Sequence, residues 1–167
     1  PLLFAIQVAI TQWLNAKGVK ADYFLGHSVG EIAAAWASGS LSLKDAITVI
    51  VVRSRAQALT RGTGRMAAVN LSLSGAKALL ERINLGSLIE IACHNSIDSV
   101  TLAGTLADLS KIEQACQQEG IFYRLLDLDY AFHSRFMDPL YGHLISALAD
   151  IKPKISQQFI SSIDDLG

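Results

Sequence analysis

Leu2, Leu3, Ile6, Ile10, Trp13 and Leu14 recur at helical spacing from the start of the chain, and Lys17-Gly18 closes the pattern as a C-cap glycine would. A first helix is therefore predicted over 2–16. Asp22-Tyr23-Phe24-Leu25 reads as a buried strand over 22–26, followed by an alanine-rich helix over 30–37 and a break at Ser38-Gly39-Ser40. Ser42 is placed as an N-cap with Asp45 at the third helical position, a box-like arrangement opening a long helix to about Thr60.

Beyond the turn cluster Arg61-Gly62-Thr63-Gly64 the period changes. Strands are predicted over 66–71, 88–93, 98–103 and 121–126, with helices over 74–83 and 106–118. The order βαββαβ is that of a ferredoxin-like unit. His94-Asn95-Ser96-Ile97-Asp98 joins two of its strands, and Asn and Ser are ordinary turn formers there. Asp127 to Ser134 is a short extended segment that leads through His133 into a helix over 135–149; Lys152-Pro153-Lys154 is a loop, and 157–162 a last strand. The fold class expected is α/β: a large subdomain with a parallel sheet over 1–64 and 127–167, interrupted by a small ferredoxin-like subdomain over 65–126.

With 167 residues, 51% of them hydrophobic, the chain can bury one full core with a smaller unit inserted. Its 14 basic and 15 acidic residues leave a net charge of −1, which gives no electrostatic footprint for nucleic acid or an anionic membrane. The longest apolar run, Ala46 to Val52, is interrupted by Thr48 and is far too short for a bilayer, and no basic leader opens the chain. Cys93 and Cys116 form no C-x-x-C pair and read as idle thiols in a reducing, cytoplasmic compartment. His27, His94, His133 and His143 have no metal-ligand spacing, so no metal is expected. Because Pro1 lies directly inside an amphipathic pattern, the chain reads as a fragment cut from something longer.

The chemistry centres on Gly26-His27-Ser28-Val29-Gly30-Glu31, which reads as a nucleophile elbow between the strand and the alanine-rich helix. The glycines give the sharp turn room, Ser28 stands clear of the backbone, and the Val29 amide opens the helix where it can stabilise an oxyanion. Small residues also crowd strand-to-helix turns for packing alone. A serine needs a base within hydrogen-bond reach. His27 points away on such a turn, His143 lies on a surface pattern and His94 on the inserted unit, which leaves His133 as the best placed. Arg53, close to a core stripe, reads on spacing alone as a snorkelling surface residue.

Gly26-His27-Ser28-Val29-Gly30-Glu31, Arg53, Cys93-His94-Asn95-Ser96 and Ala131-Phe132-His133-Ser134, in that order around a βαββαβ insertion, resemble the acyltransferase domain of polyketide synthases, related to malonyl-CoA:acyl carrier protein transacylase. The resemblance implies that Ser28 is acylated, that His133 is general base and acid, that Val29 N–H is an oxyanion donor, and that Arg53 holds the distal carboxylate of a dicarboxylic acyl group. It adds Phe132, His27, Asn95 and Tyr130 on the substrate side. It further implies acyl-CoA (malonyl-CoA) as substrate with no resident cofactor, phosphopantetheine on an acyl carrier protein as acceptor, and neighbouring synthase domains, a ketosynthase among them, in secondary metabolism. Phe before the histidine goes with malonyl in that family, whereas a Tyr three places before it goes with methylmalonyl; Tyr130-Ala131-Phe132-His133 mixes the two. The family's N-terminal Gly-Gln-Gly loop has no counterpart here, and neither the residue order nor the oxyanion loop of an α/β-hydrolase is found. A serine esterase using the same elbow and a non-catalytic synthase fragment are the alternatives.

Overall fold

The computed structural model describes residues 1–162, so the last five residues of the predicted 127–167 segment lie outside the described residues. The chain packs as two compact units, one of Pro1–Ala56 with the chain from Gly142 onward, the other of Gln57–Tyr141.

In the first unit, α1 (Leu2–Ala16) forms where the spacing predicts it. It ends in a Schellman motif: Gly18 has φ +81°, its N–H donates to Asn15 O at 3.0 Å, and Val19 N–H donates to Leu14 O at 3.1 Å. The face turned to the core is not the one that the spacing suggests. Phe4 is buried with Ala46 and Ile50, with Val8 packed against them, whereas Leu2, Leu3, Ile6, Ile10 and Trp13 are exposed. β1 (Phe24–Leu25) is shorter than the predicted run. It pairs in parallel with β6 (Phe159–Ile160) in the register Phe24↔Phe159, Leu25↔Ile160.

Two helices follow β1: α2 (Gly30–Ala37) and α3 (Leu43–Ala58). Ser42 caps α3 as expected: its Oγ accepts Asp45 N–H at 3.1 Å and donates to Asp45 Oδ2 at 2.7 Å. The loop that returns to β6 is fastened to the break after α2, Lys154 N–H to Ser40 O at 2.9 Å and Ser156 Oγ to Ser38 O at 2.9 Å.

The second unit contains β2 (Arg65–Val69), α4 (Leu73–Arg82), β3 (Glu90–Ser96), β4 (Ser99–Gly104), α5 (Leu106–Gln118) and β5 (Tyr123–Leu125). Its antiparallel sheet has the order β3-β4-β2-β5, the ferredoxin-like arrangement expected from βαββαβ. Strand alternation gives the sheet two apolar faces. Ala67, Val69, Val100 and Leu102 pack with α4 and α5, while Met66 and Ala103 on the opposite face pack with Ala131, Phe132 and Phe136. The return segment thus covers the second face, and by packing 57–64 and 127–141 go with this sheet, a different line from the sequence boundaries at 64 and 126.

Two elements differ in kind from the sequence expectation. β3 runs through His94, Asn95 and Ser96, because two bulges keep Cys93↔Thr101, His94↔Val100 and Ser96↔Ser99 in register; only Ile97-Asp98 turns. Asp127–Ser134, expected as a short extended segment, joins β5 to the next helix without strand pairing. The predicted helix over 135–149 is a 3-10 helix (Arg135–Leu140) followed by α6 (Tyr141–Ala147). Pro139 lies inside the 3-10 segment, where it has no N–H to give to an α ladder. Among the described residues no helix is long and apolar enough to cross a membrane.

Candidate active site

Ser28 sits on the turn between β1 and α2 with φ +54°. That left-handed backbone is uncommon for a residue with a Cβ and marks a place held by its surroundings. Gly26 has no room for a side chain, since a Cβ there would run into the carbonyl of Gly30. The turn continues into α2 through Gly30 N–H to His27 O at 2.9 Å and Glu31 N–H to Ser28 O at 3.1 Å. Val29 is the N-cap, has no side-chain cap, and its N–H has no partner among the described residues. Such an orphan donor at the positive end of a helix dipole suits a developing negative charge. His27 is exposed, while Ser28 and Val29 are half-buried.

Two residues that the sequence did not single out close this elbow. Glu31 Oε1 accepts Ser162 N–H at 2.5 Å and the Ser162 hydroxyl at 2.6 Å, and Ser162 Oγ also lies 2.8 Å from Gly26 O. Residues on both sides of Ser28 are thereby fastened to the chain leaving β6. The position of Glu31 directly after the second glycine was a local signal; Ser162, at a distance along the chain, gave none. A cleft of about 470 Å³ on this unit is lined by Gln7, Thr11, Phe24, Gly26, His27 and Ala33 among others, but not by Ser28.

Arg53 lies on α3 three residues after buried Ile50, on the stripe that carries Ala46. It is half-buried, burial pushes its pKa down, and it has no ion-pair partner among the described residues. Arg55, by contrast, is exposed.

In the second unit His133 also has a left-handed backbone, φ +55°, and is exposed. Ala131 beside it is fully buried, and a Cβ on Gly64 would lie 2.7 Å from the Ala131 Cβ, so that glycine makes the slot into which the loop fits. Ser134 Oγ donates to Ala131 O at 2.5 Å. The Tyr130 and Phe132 rings stack with centroids 5.0 Å apart and planes at 12°.

Asp129 lies in the loop that leads from β5 to His133. Its carboxylate pairs with Arg61, at 3.3 Å, and with Arg65, and its carbonyl accepts Gly62 N–H at 2.9 Å. Asn95 lies exposed on β3, its Nδ2 donating to Thr101 Oγ1 at 2.9 Å. His94 and His143 are exposed on β3 and α6. Among the described residues no group of three or more His, Cys, Asp or Glu could hold a metal ion.

The structure thus gathers His27, Ser28 and Val29 on one turn of the first unit, with Arg53 on α3 of the same unit, and Tyr130, Phe132 and His133 on one loop of the second. Comparison with known proteins identifies the family of the chain. The acyl transferase domain family matches residues 1–165. The highly reducing polyketide synthase curS1 of Aspergillus terreus is 36% identical over 171 residues, covering 99% of this chain and 7% of that synthase. Among solved structures, the acyltransferase domain of phenolphthiocerol/phtiocerol synthase A from Mycobacterium bovis (BCG) superposes with a TM-score of 0.89 at 28% identity, over 98% of this chain and 61% of that one. The acyltransferase domain from module 8 of the salinomycin polyketide synthase gives 0.89 at 30% identity, over 96% of this chain and 38% of that one. The chain therefore belongs to the acyl transferase domain family, and the relatives it resembles there are acyltransferase domains of polyketide synthases.

Proposed function

We propose that this chain transfers a malonyl group from coenzyme A, through an ester on Ser28, to the phosphopantetheine thiol of an acyl carrier protein within a polyketide synthase. His133 takes the proton from Ser28 Oγ as that oxygen attacks the thioester carbonyl carbon. The carbonyl oxygen becomes an oxyanion facing Val29 N–H and the α2 N-terminus. The C–S bond then breaks, the sulfur takes the proton held by His133, and coenzyme A leaves as its thiol. In the second half the carrier's thiol attacks the ester carbonyl and gives its proton to His133. The C–O bond to Ser28 breaks, and His133 returns the proton to Oγ.

Arg53 selects a dicarboxylic acyl group by holding its distal carboxylate through two parallel hydrogen bonds, which a planar guanidinium offers and a lysine does not. By the family resemblance His27 and Asn95 serve on the substrate side, and Phe132 limits the space at the α-carbon. No resident cofactor enters these steps. The chain spans 7% of the length of the Aspergillus terreus synthase curS1, and the carrier protein and a ketosynthase are its proposed neighbours in a longer polypeptide or assembly.

The observation that carries the reading is the strained Ser28 on a glycine-walled turn, followed directly by an amide without a partner among the described residues. Incubation with malonyl-CoA and intact-mass measurement tests it. A stable malonyl adduct mapped to Ser28 supports transfer; rapid release of free malonate supports an esterase instead, and no adduct supports a non-catalytic fragment.

A further inference from the structure

The loop that presents His133 is held by a carboxylate from the sheet of its own unit, 45 residues earlier in the chain. Arg135, two residues on, makes three hydrogen bonds to one short stretch of chain. Its backbone N–H donates to Glu90 Oε2 at 2.7 Å, its Nε to Glu90 Oε1 at 2.7 Å, and its Nη1 to Ser87 O at 2.8 Å. Glu90 is the first residue of β3 and pairs in register with Ala103 of β4, so the carboxylate stands on a sheet and not on a loop. A partly exposed arginine–carboxylate pair contributes little by itself. Here the second carboxylate oxygen takes a main-chain N–H, and so fixes the backbone that leaves the histidine. Together with Ser134 Oγ on Ala131 O, it closes the turn on which His133 keeps its left-handed φ of +55°.

We propose that Glu90 is a positioning residue for His133: it touches neither substrate nor reacting atoms, and it acts by fixing the main chain at Arg135. The inference rests on the reading of His133 as the base. Proton transfer demands close placement, and a displacement of about 1 Å costs on the order of a hundredfold in rate.

The test uses the full chain with malonyl-CoA as probe and the variants Glu90→Ala, Glu90→Gln and Arg135→Ala, with Ser28→Ala and His133→Ala as controls. The readouts are the Ser28 acylation rate at saturation, the half-saturating concentration, and amide hydrogen exchange over 131–136 and over β2 and β4. For Glu90→Ala the expected result is a saturating rate lowered about ten- to hundredfold, an unchanged half-saturating concentration, and faster exchange over 131–136 with β2 and β4 still protected. Glu90→Gln, whose amide oxygen can still accept the Arg135 N–H, recovers most of the rate. Arg135→Ala, which keeps that N–H, loses less than Glu90→Ala. Unchanged exchange over 131–136 in Glu90→Ala overturns the proposal, whether or not the protein is acylated. So does a parental rate in that variant, or a loss of protection throughout the sheet in both Glu90 variants. If His133→Ala acylates like the parent, it is the base assignment that fails; if His133→Ala is inactive and Glu90→Ala is not, only the Glu90 inference fails.

Discussion

Gly26 is pressed against the carbonyl of Gly30, with no space between them for even a methyl group. The obstacle is backbone, which cannot rotate away as a side chain would. Gly26→Ala must therefore push the start of α2 off the end of β1, at a cost of about 3 kcal/mol, the upper end for an overpacked site. Thermal melting checks this: a fall of roughly 6–12 °C is expected. An alanine at position 26 that melts with the parent would mean that the turn is looser than its geometry.

Ser28→Ala should do the opposite, leaving the fold intact and removing the chemistry. On the proposed reading the hydroxyl is the nucleophile, and alanine meets the same backbone restriction at φ +54° as serine does. Intact mass after malonyl-CoA should show no adduct on the variant. His133→Ala should lose acylation to a comparable degree, since residues that act as one unit are not additive. If His94→Ala or His143→Ala proves equally damaging while folded, the base has been misassigned.

The elbow was legible in the sequence because its signal is local: two glycines, a serine, and the change from an apolar run to a helix lie within a few residues. The βαββαβ order was legible for the same reason, through a change of period. What was not legible depends on packing at a distance. Helical spacing found α1 but could not tell which side meets Ala46 and Ile50, and Phe4, not the Leu2–Ile6–Ile10–Trp13 stripe, is the buried residue. His94-Asn95-Ser96 is composed like a turn, yet bulged pairing with β4 keeps it in the sheet. Asp129 finds Arg61 and Arg65 only once the chain has returned, and no spacing rule connects residues so far apart.

Tyr123 gives a pH dependence with a definite sign. Burial foremost, with the charges of Glu113 and Cys116 added, pushes its phenol from an ordinary value of 10.0 up to about 12. Between those values the unfolded chain has released a proton that the folded chain still holds, so the unfolded state binds fewer protons and stability falls as pH rises. Denaturant unfolding followed from pH 9 to 12 should show this decline from about pH 10. Tyr123→Phe should flatten it while changing stability at pH 7 little. A variant with the same alkaline slope as the parent would remove Tyr123 as the cause.

Arg53 separates a binding role from a packing role. A half-buried guanidinium with no ion-pair partner among the described residues carries an uncompensated desolvation cost, visible as the lowered pKa. Arg53→Ala should therefore leave melting unchanged or slightly raised, where a purely snorkelling arginine would lose packing. Acylation by malonyl-CoA should fall by about 2–5 kcal/mol, the cost of truncating one partner of a buried charge pair, and methylmalonyl-CoA should suffer alike. Acetyl-CoA, which has no distal carboxylate, should improve because no guanidinium is left buried and unpaired. Unchanged selectivity among the three thioesters would sink the carboxylate clamp.

On the proposed reading Phe132 and Tyr130 bear on which dicarboxylic group is taken. Their rings stack at 5.0 Å, and Phe132 also packs against the cluster of Met66, Ala103 and Ala131, so the phenyl ring is fixed on both sides. A fixed ring cannot yield to an extra methyl as a mobile one would, and on this reading Tyr130 acts through the ring on which it stacks. Malonyl-CoA should therefore be preferred to methylmalonyl-CoA, and since one methyl in a pocket is worth about 1–3 kcal/mol, the preference should be roughly ten- to two-hundredfold and leaky. Phe132→Ser should narrow it most, at some cost in stability because a packed ring is lost. Tyr130→Ala should narrow it less, by freeing the ring without removing it. Competition between the two thioesters, read as relative rates of Ser28 acylation, decides the matter. A methylmalonyl preference in the parent protein would overturn the argument from Phe132, and a Tyr130→Ala variant more permissive than Phe132→Ser would transfer the discriminating role to the tyrosine.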